Sequence, residues 1–316
     1  MRSASPRPPG FVHVDLDGLW TLAGVYGFPE QDLFELDPVF NLAVDRLLEL
    51  LGSRGIRATF FIVGRDLELP EKVDAVARIA AAGHRLANHS LRHDLRLGEA
   101  APGSIEEELR TVNERLSAVA GEAPLGFRAP GYAVNERVLT ACVRAGLRYD
   151  GSVFPCWWAP LLRRLAGSLR QSPGPPARGQ YGGGGSLRPR WERPVAGAPP
   201  ILRLPVAVSP RLRLPLHASL GLLLGAGTVR RGLRNLAARG LPAVYLLHGL
   251  DLLGAEEFAG RLPGPLAGHR AFRPSLASKR EFLDTVLRAF GELFAIETTE
   301  DWMRRLEVGR SGGISA

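Results

Sequence analysis

Short apolar runs separated by longer amphipathic stretches recur along most of this 316-residue chain. Few architectures besides a parallel α/β fold satisfy that alternation. Residues 11–16 predict a buried strand ending at Asp17-Gly18. Residues 38–51 carry Val39, Leu42, Ala43, Leu47, Leu50 and Leu51 at helical spacing. A second strand is expected at 58–63, a helix at 71–82 with Gly83 beyond it, and a third strand at 84–88. Ser104-Ile-Glu-Glu107 has the outline of a capping box opening a helix that runs to about Ala120. Residues 126–129 and 148–150 give two more strands, with Asn135 able to cap the helix between them. Order then resumes with a strand at 201–208, a helix at 220–239, a strand at 243–247, a helix at 278–290 and a strand at 294–298. No repeat of fixed period is present. The expected fold is a distorted, closed or nearly closed parallel (β/α) barrel of about seven or eight strands, forming one domain over 11–300. Residues 1–10 are expected to be a disordered N-terminus and 301–316 a C-terminal tail.

Periodicity fails between 155 and 200. This segment holds Ser172-Pro-Gly-Pro-Pro and four consecutive glycines after Tyr181, a composition that cannot pack a core and reads as one long insertion. It also carries much of the charge excess. The chain has a net charge of +8, yet only Lys72 and Lys279 are lysines. The insertion holds Arg163, Arg164, Arg170, Arg178, Arg188, Arg190 and Arg193 against Glu192 alone, seven minus one giving six positive charges. A basic patch of this kind attracts a phosphate or an anionic membrane surface. Nucleic-acid binding is not expected, because the arginines have no interleaved aromatic platform and no reader motif.

No stretch approaches the roughly 18–20 apolar residues of a membrane span. The longest candidate, 212–224, is broken by Arg213, Pro215 and His217. Residues 1–10 have three prolines and no apolar run, so a cytoplasmic location is expected, with peripheral contact at the inner face of the plasma membrane through the basic segment. Cys142 and Cys156 form neither a disulfide framework nor a CxxC pair.

In a parallel barrel the chemistry collects at the C-terminal ends of the strands. The predicted ends carry Asp15, Asp17, His89, His93, Arg128, Asp150 and His248. Histidines at i and i+4, as in His89-Ser-Leu-Arg-His93, share one face of a helical turn and can reach one cation. Alone such a pair is more often structural, and a strand-end acid often caps a turn. Together, two histidines and one aspartate leave open positions on a divalent ion, as a catalytic site requires. Asp15 and Asp17 lie at i and i+2, on one side of a strand. One carboxylate can therefore bind the ion while its neighbour serves as general base for attack on an amide. His248 is then a candidate to protonate the leaving amine.

Five segments, in order, resemble the polysaccharide deacetylase family, carbohydrate esterase family four. They are Asp15-Leu-Asp17-Gly, Ala58-Thr-Phe-Phe-Ile-Val-Gly64, His89-Ser-Leu-Arg-His93, Phe127-Arg-Ala-Pro-Gly-Tyr132 and Leu246-Leu-His248. The resemblance covers about 11–152 and resumes over about 201–253. It implies that Asp15 is the general base and that Asp17, His89 and His93 are metal ligands. Arg128 would hold the charge and position of Asp15, and His248 would be the general acid. Asp150 is implied as its orienter, with Asp251 as a competitor. Tyr132 would lend a backbone N–H to the oxyanion, and Trp157 and Trp158 would form an aromatic wall for substrate. The cofactor implied is one divalent ion, with zinc best suited to a His2Asp set and cobalt, nickel or iron also fitting.

The resemblance thus implies a hydrolase that removes an acetyl or formyl group from an N-acylated amino sugar. The spaced Asp-Leu-Asp, in place of adjacent acids, is similar to the branch acting on small or lipid-linked amino sugars. The expected substrate is therefore an N-acylated amino sugar that is free, nucleotide-linked or carried on a polyprenyl phosphate, or in a close variant a lipid-linked aminopentose that loses a formyl group. An inactive, metal-containing sugar-binding module is the alternative from another class; loss of Asp15 or His248 would mark it, and both are present.

Overall fold

The computed structural model describes residues 6–26, 31–158, 185–258 and 273–311. Nine strands form one mostly parallel sheet: β1 (Pro9–Leu16), β2 (Thr59–Ile62), β3 (Arg85–Asn88), β4 (Gly126–Phe127), β5 (Tyr149–Val153), β6 (Arg190–Glu192), β7 (Ile201–Pro205), β8 (Ala243–His248) and β9 (Ala295–Ile296). The strand order is β6-β7-β5-β4-β3-β2-β1-β8, with β9 paired to the start of β1. A parallel bridge between Val206 and Val244 joins the continuation of β7 to β8 and closes the path that runs from β7 through β1 to β8. The result is the expected barrel-like (β/α) fold. Among the described residues, ten helices flank it: α1 (Leu19–Tyr26), α2 (Gln31–Glu35), α3 (Val44–Gly52), α4 (Pro70–Ala81), α5 (Pro102–Ala120), α6 (Glu136–Arg144), α7 (Ala218–Leu224), α8 (Ala226–Ala237), α9 (Leu276–Leu293) and α10 (Thr299–Ser311).

Period-two alternation divides the strand residues between two cores. Val12, Val14 and Leu16 of β1 face the helices, in one large cluster with Phe60, Ile62, Tyr245 and Leu247. Phe11 faces inward with Leu204 and Val244, while Phe61, Ala87, Tyr149 and Leu202 form a second inner group. Trp302 and Met303 of α10 pack against these inner groups. The buried Glu300 carboxylate accepts from Tyr149 Oη at 2.7 Å and Thr59 Oγ1 at 3.0 Å. Residues 301–311 are therefore helical and not the expected tail, and Trp302 and Met303 at the start of that stretch cover the inner apolar residues.

The only two lysines of the chain are both buried, and each holds the turn that follows a functional strand. Lys72 Nζ reaches Asp66 Oδ1 at 2.5 Å and Asp37 Oδ2 at 3.3 Å. Asp37 in turn accepts from the backbone N–H of Leu19, at the start of α1, just after Asp17. Lys279 Nζ donates to the carbonyls of Leu250 and Leu253, in the turn just after His248. A compact ammonium with three donors fits these pockets where a planar guanidinium would not.

Several local expectations shift. The helix at 102–120 starts on Pro102, whose ring pre-sets the first turn, and no capping box forms at Ser104. The stretch expected as one helix at 220–239 is two, broken at Gly225 by its non-helical φ of 80° and ψ of 150°. A π-helical turn, Val39–Ala43, precedes α3. β1 begins at Pro9, and Arg7 donates to the Gly291 carbonyl, so ordered structure starts inside the expected disordered N-terminus. Within the expected insertion, β6 pairs antiparallel with β7, where Glu192 meets the otherwise buried Arg203. Residues 159–184, including the proline- and glycine-rich runs, lie outside the described residues.

Lys72→Ala would leave Asp37 and Asp66 buried without their cation. A loss of about 3 kcal/mol is expected, read from the urea midpoint at neutral pH. Lys72→Arg should fail to restore it, because a larger planar guanidinium would replace an ammonium that is already almost wholly buried.

Candidate active site

Strand register brings the polar residues to one rim. Asp15 stands beside His248 across the β1–β8 pair. Leu16 pairs with Ile62, Ile62 with Asn88, Asn88 with Phe127, and Phe127 with Asp150. The next residue along each of β1, β3 and β4 is Asp17, His89 or Arg128, so these side chains emerge from one level of the barrel. Of the four non-glycine residues with positive φ among the described residues, three also lie here: Ser90 (65°), His93 (54°) and Tyr132 (59°). Backbone in this region is costly for residues with a Cβ and persists only where surrounding contacts hold it. At 88–93 they do. Asn88 Oδ1 accepts from the Ser90 N–H, and Ser90 Oγ accepts from the His93 N–H. The two histidines thus meet through a tight non-helical turn and not through the expected helical face.

His89, His93 and Asp17 offer ligand atoms that all lie within 4.8 Å of one another. Asp17 Oδ1 is 3.1 Å from His89 Nε2 and 3.4 Å from His93 Nε2, yet this buried oxygen receives no hydrogen bond. His89 Nδ1 donates to the Arg128 carbonyl at 2.7 Å, which leaves the Nε2 lone pair facing Asp17. An orphaned carboxylate oxygen between two imidazole nitrogens is a donor set suited to a divalent cation. Burial opposes ionisation of Asp17, but the His93 and His89 imidazoles outweigh it and hold the carboxyl below its usual range.

Asp15 sits between a cation and an acid candidate. Arg128, fully buried, donates from Nη1 to Asp15 Oδ1 at 2.6 Å and from Nε to the Gly151 carbonyl at 2.9 Å. A Cβ on Gly151 would stand 2.9 Å from Nη2, so a larger residue would displace the guanidinium. Arg128 Nη2 lies 2.7 Å from His13 Nδ1, and His13 Nε2 lies 2.8 Å from Thr299 Oγ1. A guanidinium can only donate, so Nδ1 accepts and the ring proton sits on Nε2. Burial and the Arg128 charge push His13 well below the ordinary imidazole range, in keeping with this neutral form. His13 escaped the sequence reading, although it extends the same period-two file as Asp15 and Asp17.

On the opposite side His248 Nε2 is 3.9 Å from Asp15 Oδ2. Its Nδ1 lies 3.8 Å from Asp251 Oδ2 and 3.1 Å from Ser219 Oγ, which donates to Asp251 Oδ1. Asp251 Oδ2 also accepts from the His248 backbone N–H at 2.8 Å. Burial disfavours the charged ring, but the contact with Asp251, with support from Asp15 and Asp17, raises His248 to about 9. Asp150 is occupied elsewhere. Its Oδ2 accepts from Arg203 Nε at 2.7 Å, and its Oδ1 accepts from the N–H and hydroxyl of Ser152. The carboxylate facing His248 is therefore that of Asp251, because Asp150 is drawn to the buried Arg203 and leaves the imidazole to its near neighbour in the chain.

The aromatic and oxyanion candidates also fall differently. The Tyr132 N–H donates to the Ala129 carbonyl, closing its own 3₁₀ turn, so it does not stand ready for an oxyanion as expected. Its ring stacks on Phe154 with centroids 4.9 Å apart. Trp157 and Trp158 remain 53% and 43% exposed. Trp158 Nε1 donates to the Leu212 carbonyl, and Arg213 lies over the Trp157 ring. His217, 6.2 Å from the His248 ring and 6.0 Å from Phe154, lines the same rim and was not anticipated.

Residues 34–149 match the family model for polysaccharide deacetylase. Over that segment the chain is similar to the polysaccharide deacetylase family. Chitooligosaccharide deacetylases of Bradyrhizobium sp. (strain ANU 289) and Rhizobium leguminosarum bv. trifolii are 29% and 32% identical to it over 126 and 116 residues. Those matches take in 39% and 36% of this chain and 56% and 52% of theirs, so the chain spans about half the length of these curated relatives. A crystal structure from Mycobacterium smegmatis that carries the polysaccharide deacetylase name shares the fold. Its TM-score is 0.61 at 18% identity, covering 98% of this chain and 94% of that one. The family match includes His89, His93 and Arg128; Asp15, Asp17 and His248 lie outside it and join the site through strand register.

Because Asp251 raises His248, the imidazolium persists at neutral pH and is lost as pH climbs through about 9. Asp251→Asn should therefore move the alkaline limb of kcat to lower pH by about one unit or more. Asp150→Asn should leave that limb in place while lowering stability through Arg203. Equal limbs in both variants would contradict the pairing. His13→Leu should lower kcat about tenfold with KM kept, as Arg128 loses one acceptor, while His13→Asn, which retains an acceptor, should recover most of it.

Proposed function

We propose that this chain is a member of the polysaccharide deacetylase family and a metal-dependent amide hydrolase that removes the N-acyl group of an amino sugar. The observation that carries the reading is the convergence of two differently poised groups on one small metal-type donor cluster. Asp15, anchored by Arg128, stands on one side, and His248, paired with Asp251, stands on the other. The relatives named as chitooligosaccharide deacetylases support the amide chemistry.

A divalent cation held by Asp17, His89 and His93 would supply electrophilic activation of the acyl oxygen and of the attacking water. The two imidazoles and one carboxylate suit zinc, with cobalt, nickel and iron also compatible. Asp15 accepts the proton released as water adds to the acyl carbon, and Arg128 holds that carboxylate in place. His248 enters as imidazolium and gives its proton to the departing nitrogen as the C–N bond breaks. Water thus ends as the carboxylic acid's hydroxyl and one amine hydrogen.

For the substrate we favour an amino sugar carried on a polyprenyl phosphate, acetylated or formylated. The spaced Asp15-Leu-Asp17 pair and the excess of arginine support it. A cytoplasmic site of action accords with this, and among the described residues no helix is long and apolar enough to cross a membrane.

Purified protein should hold about one divalent ion per chain, and His89→Ala with His93→Ala should abolish its retention in metal analysis. Asp17→Ala should lose ion and activity together. Asp15→Asn should keep the ion while kcat falls by roughly two or more orders of magnitude. Release of the ion by Asp15→Asn, with retention by Asp17→Asn, would reverse the assignment of the two acids. Mass spectrometry of free, nucleotide-linked and polyprenyl-phosphate-linked acylamino sugars incubated with the loaded enzyme identifies the carrier. Turnover of none of them would remove the reading.

A further inference from the structure

Between Glu192 and Asp251 the chain contains no acidic residue, yet it carries eight arginines at 193, 203, 211, 213, 230, 231, 234 and 239. Arg203 is satisfied inside the fold by Asp150 and Glu192. Arg193 and Arg213 donate to the carbonyls of Ala198 and Gly185. Among the described residues, the side chains of Arg211, Arg230, Arg231, Arg234 and Arg239 make no ion pair or hydrogen bond. Four of them lie on α8 or just beyond it. Arg230 and Arg234 are at i and i+4, and Arg231 and Arg234 at i and i+3, which are spacings at which like charges repel. The helix C-terminus accounts for Arg234 and Arg239, but not for Arg230, Arg231 or Arg211, and Arg230 Nε is buried without an acceptor.

Arg211, Arg231 and Arg239 line a cavity of about 290 Å³ whose wall includes Leu212, Leu214 and Leu216. Leu212, at the tip of the loop, is 59% exposed and adjoins the exposed Trp158, whose indole it holds. Unpaired guanidiniums beside exposed leucine and tryptophan match the headgroup and upper acyl layers of a bilayer. A nucleic acid would use the charges but not the leucine-walled cavity or the outward apolar tip. The same loop leads through His217 to Ser219, which touches His248, so this face borders the candidate active site.

We infer that the face built from the 209–214 loop and α8 docks on a membrane containing anionic phospholipid. Such docking places the charge complement here and not on Arg188, Arg190 and Arg193, where the composition of the insertion alone would put it; Arg190 shares Glu192 with Arg203, and Arg193 is engaged with the Ala198 carbonyl. This inference goes beyond the proposed reaction and needs no turnover to test, so the two can fail separately.

The experiment is co-sedimentation of the full chain with vesicles of phosphatidylcholine mixed with phosphatidylglycerol, against vesicles of phosphatidylcholine alone. Binding should require the anionic lipid and should fall as salt is raised. Replacing Arg211, Arg231 and Arg239 together by glutamine should weaken it about 100-fold, with the circular dichroism spectrum unchanged. Leu212→Ser should remove the part of the binding that survives high salt. Glutamine at 188, 190 and 193 should leave binding as it was. Absence of binding by the native protein at low salt, equal binding by the 211/231/239 variant, or release of bound protein from vesicles by a single-stranded oligonucleotide at equal charge would each overturn the inference.

Discussion

A guanidinium with no access to solvent stands at the centre of this molecule. Arg128 is placed inside the barrel where an unpaired charge would cost several kcal/mol, and its polar groups bind five different partners. Its side chain reaches Asp15, His13 and the Gly151 carbonyl, its N–H donates to the Asn88 carbonyl, and its own carbonyl accepts from His89. The strands β1, β3, β4 and β5 are thereby tied together at the rim. The guanidinium also lies over the Phe61 ring, 4.3 Å from its centroid. Since each contact answers part of the desolvation of one cation, none can move alone. The proposed base and one proposed metal ligand inherit their positions from the same side chain.

Around that centre the charges are separated. The Asp17 carboxylate is held in its ionised form among imidazoles, while His248 is pushed the other way by Asp251. Two acids and two kinds of histidine thus sit within a few ångströms in distinct roles, and the difference lies in their partners. The supports are remote from the rim. Lys72 and Lys279 brace the turns after Asp17 and His248, and Thr299 at the start of the final helix reaches the site through His13.

Residues that look alike in the chain are therefore used differently. Asp150 and Asp251 both follow strands and both could face an imidazole. The buried Arg203, on the strand next to β5, takes Asp150, and Ser219 at the start of α7 helps hold Asp251 against His248. Arginines show the same division. Arg128 and Arg203 are interior structural cations, whereas Arg231 and Arg234 of α8 are exposed, with no acid near them in the chain.

What the chain determined by itself was the alternation of strand and helix, the parallel barrel, and the residues at the strand ends. These follow from local rules, since burial repeats at periods of two and 3.6 and functional groups collect at one rim. The family motifs, each a few residues long, were legible for the same reason. Tertiary structure alone decided which carboxylate meets His248 and that the Tyr132 N–H is spent on its own turn. It also decided that the histidine pair converges through left-handed backbone, that Trp302 and Met303 cover the barrel, and that His13 belongs to the site. Each of these depends on contacts between residues far apart in the chain, such as His13 with Thr299, 286 positions away. No local pattern encodes such a contact, because its energy exists only once the strands have closed around it.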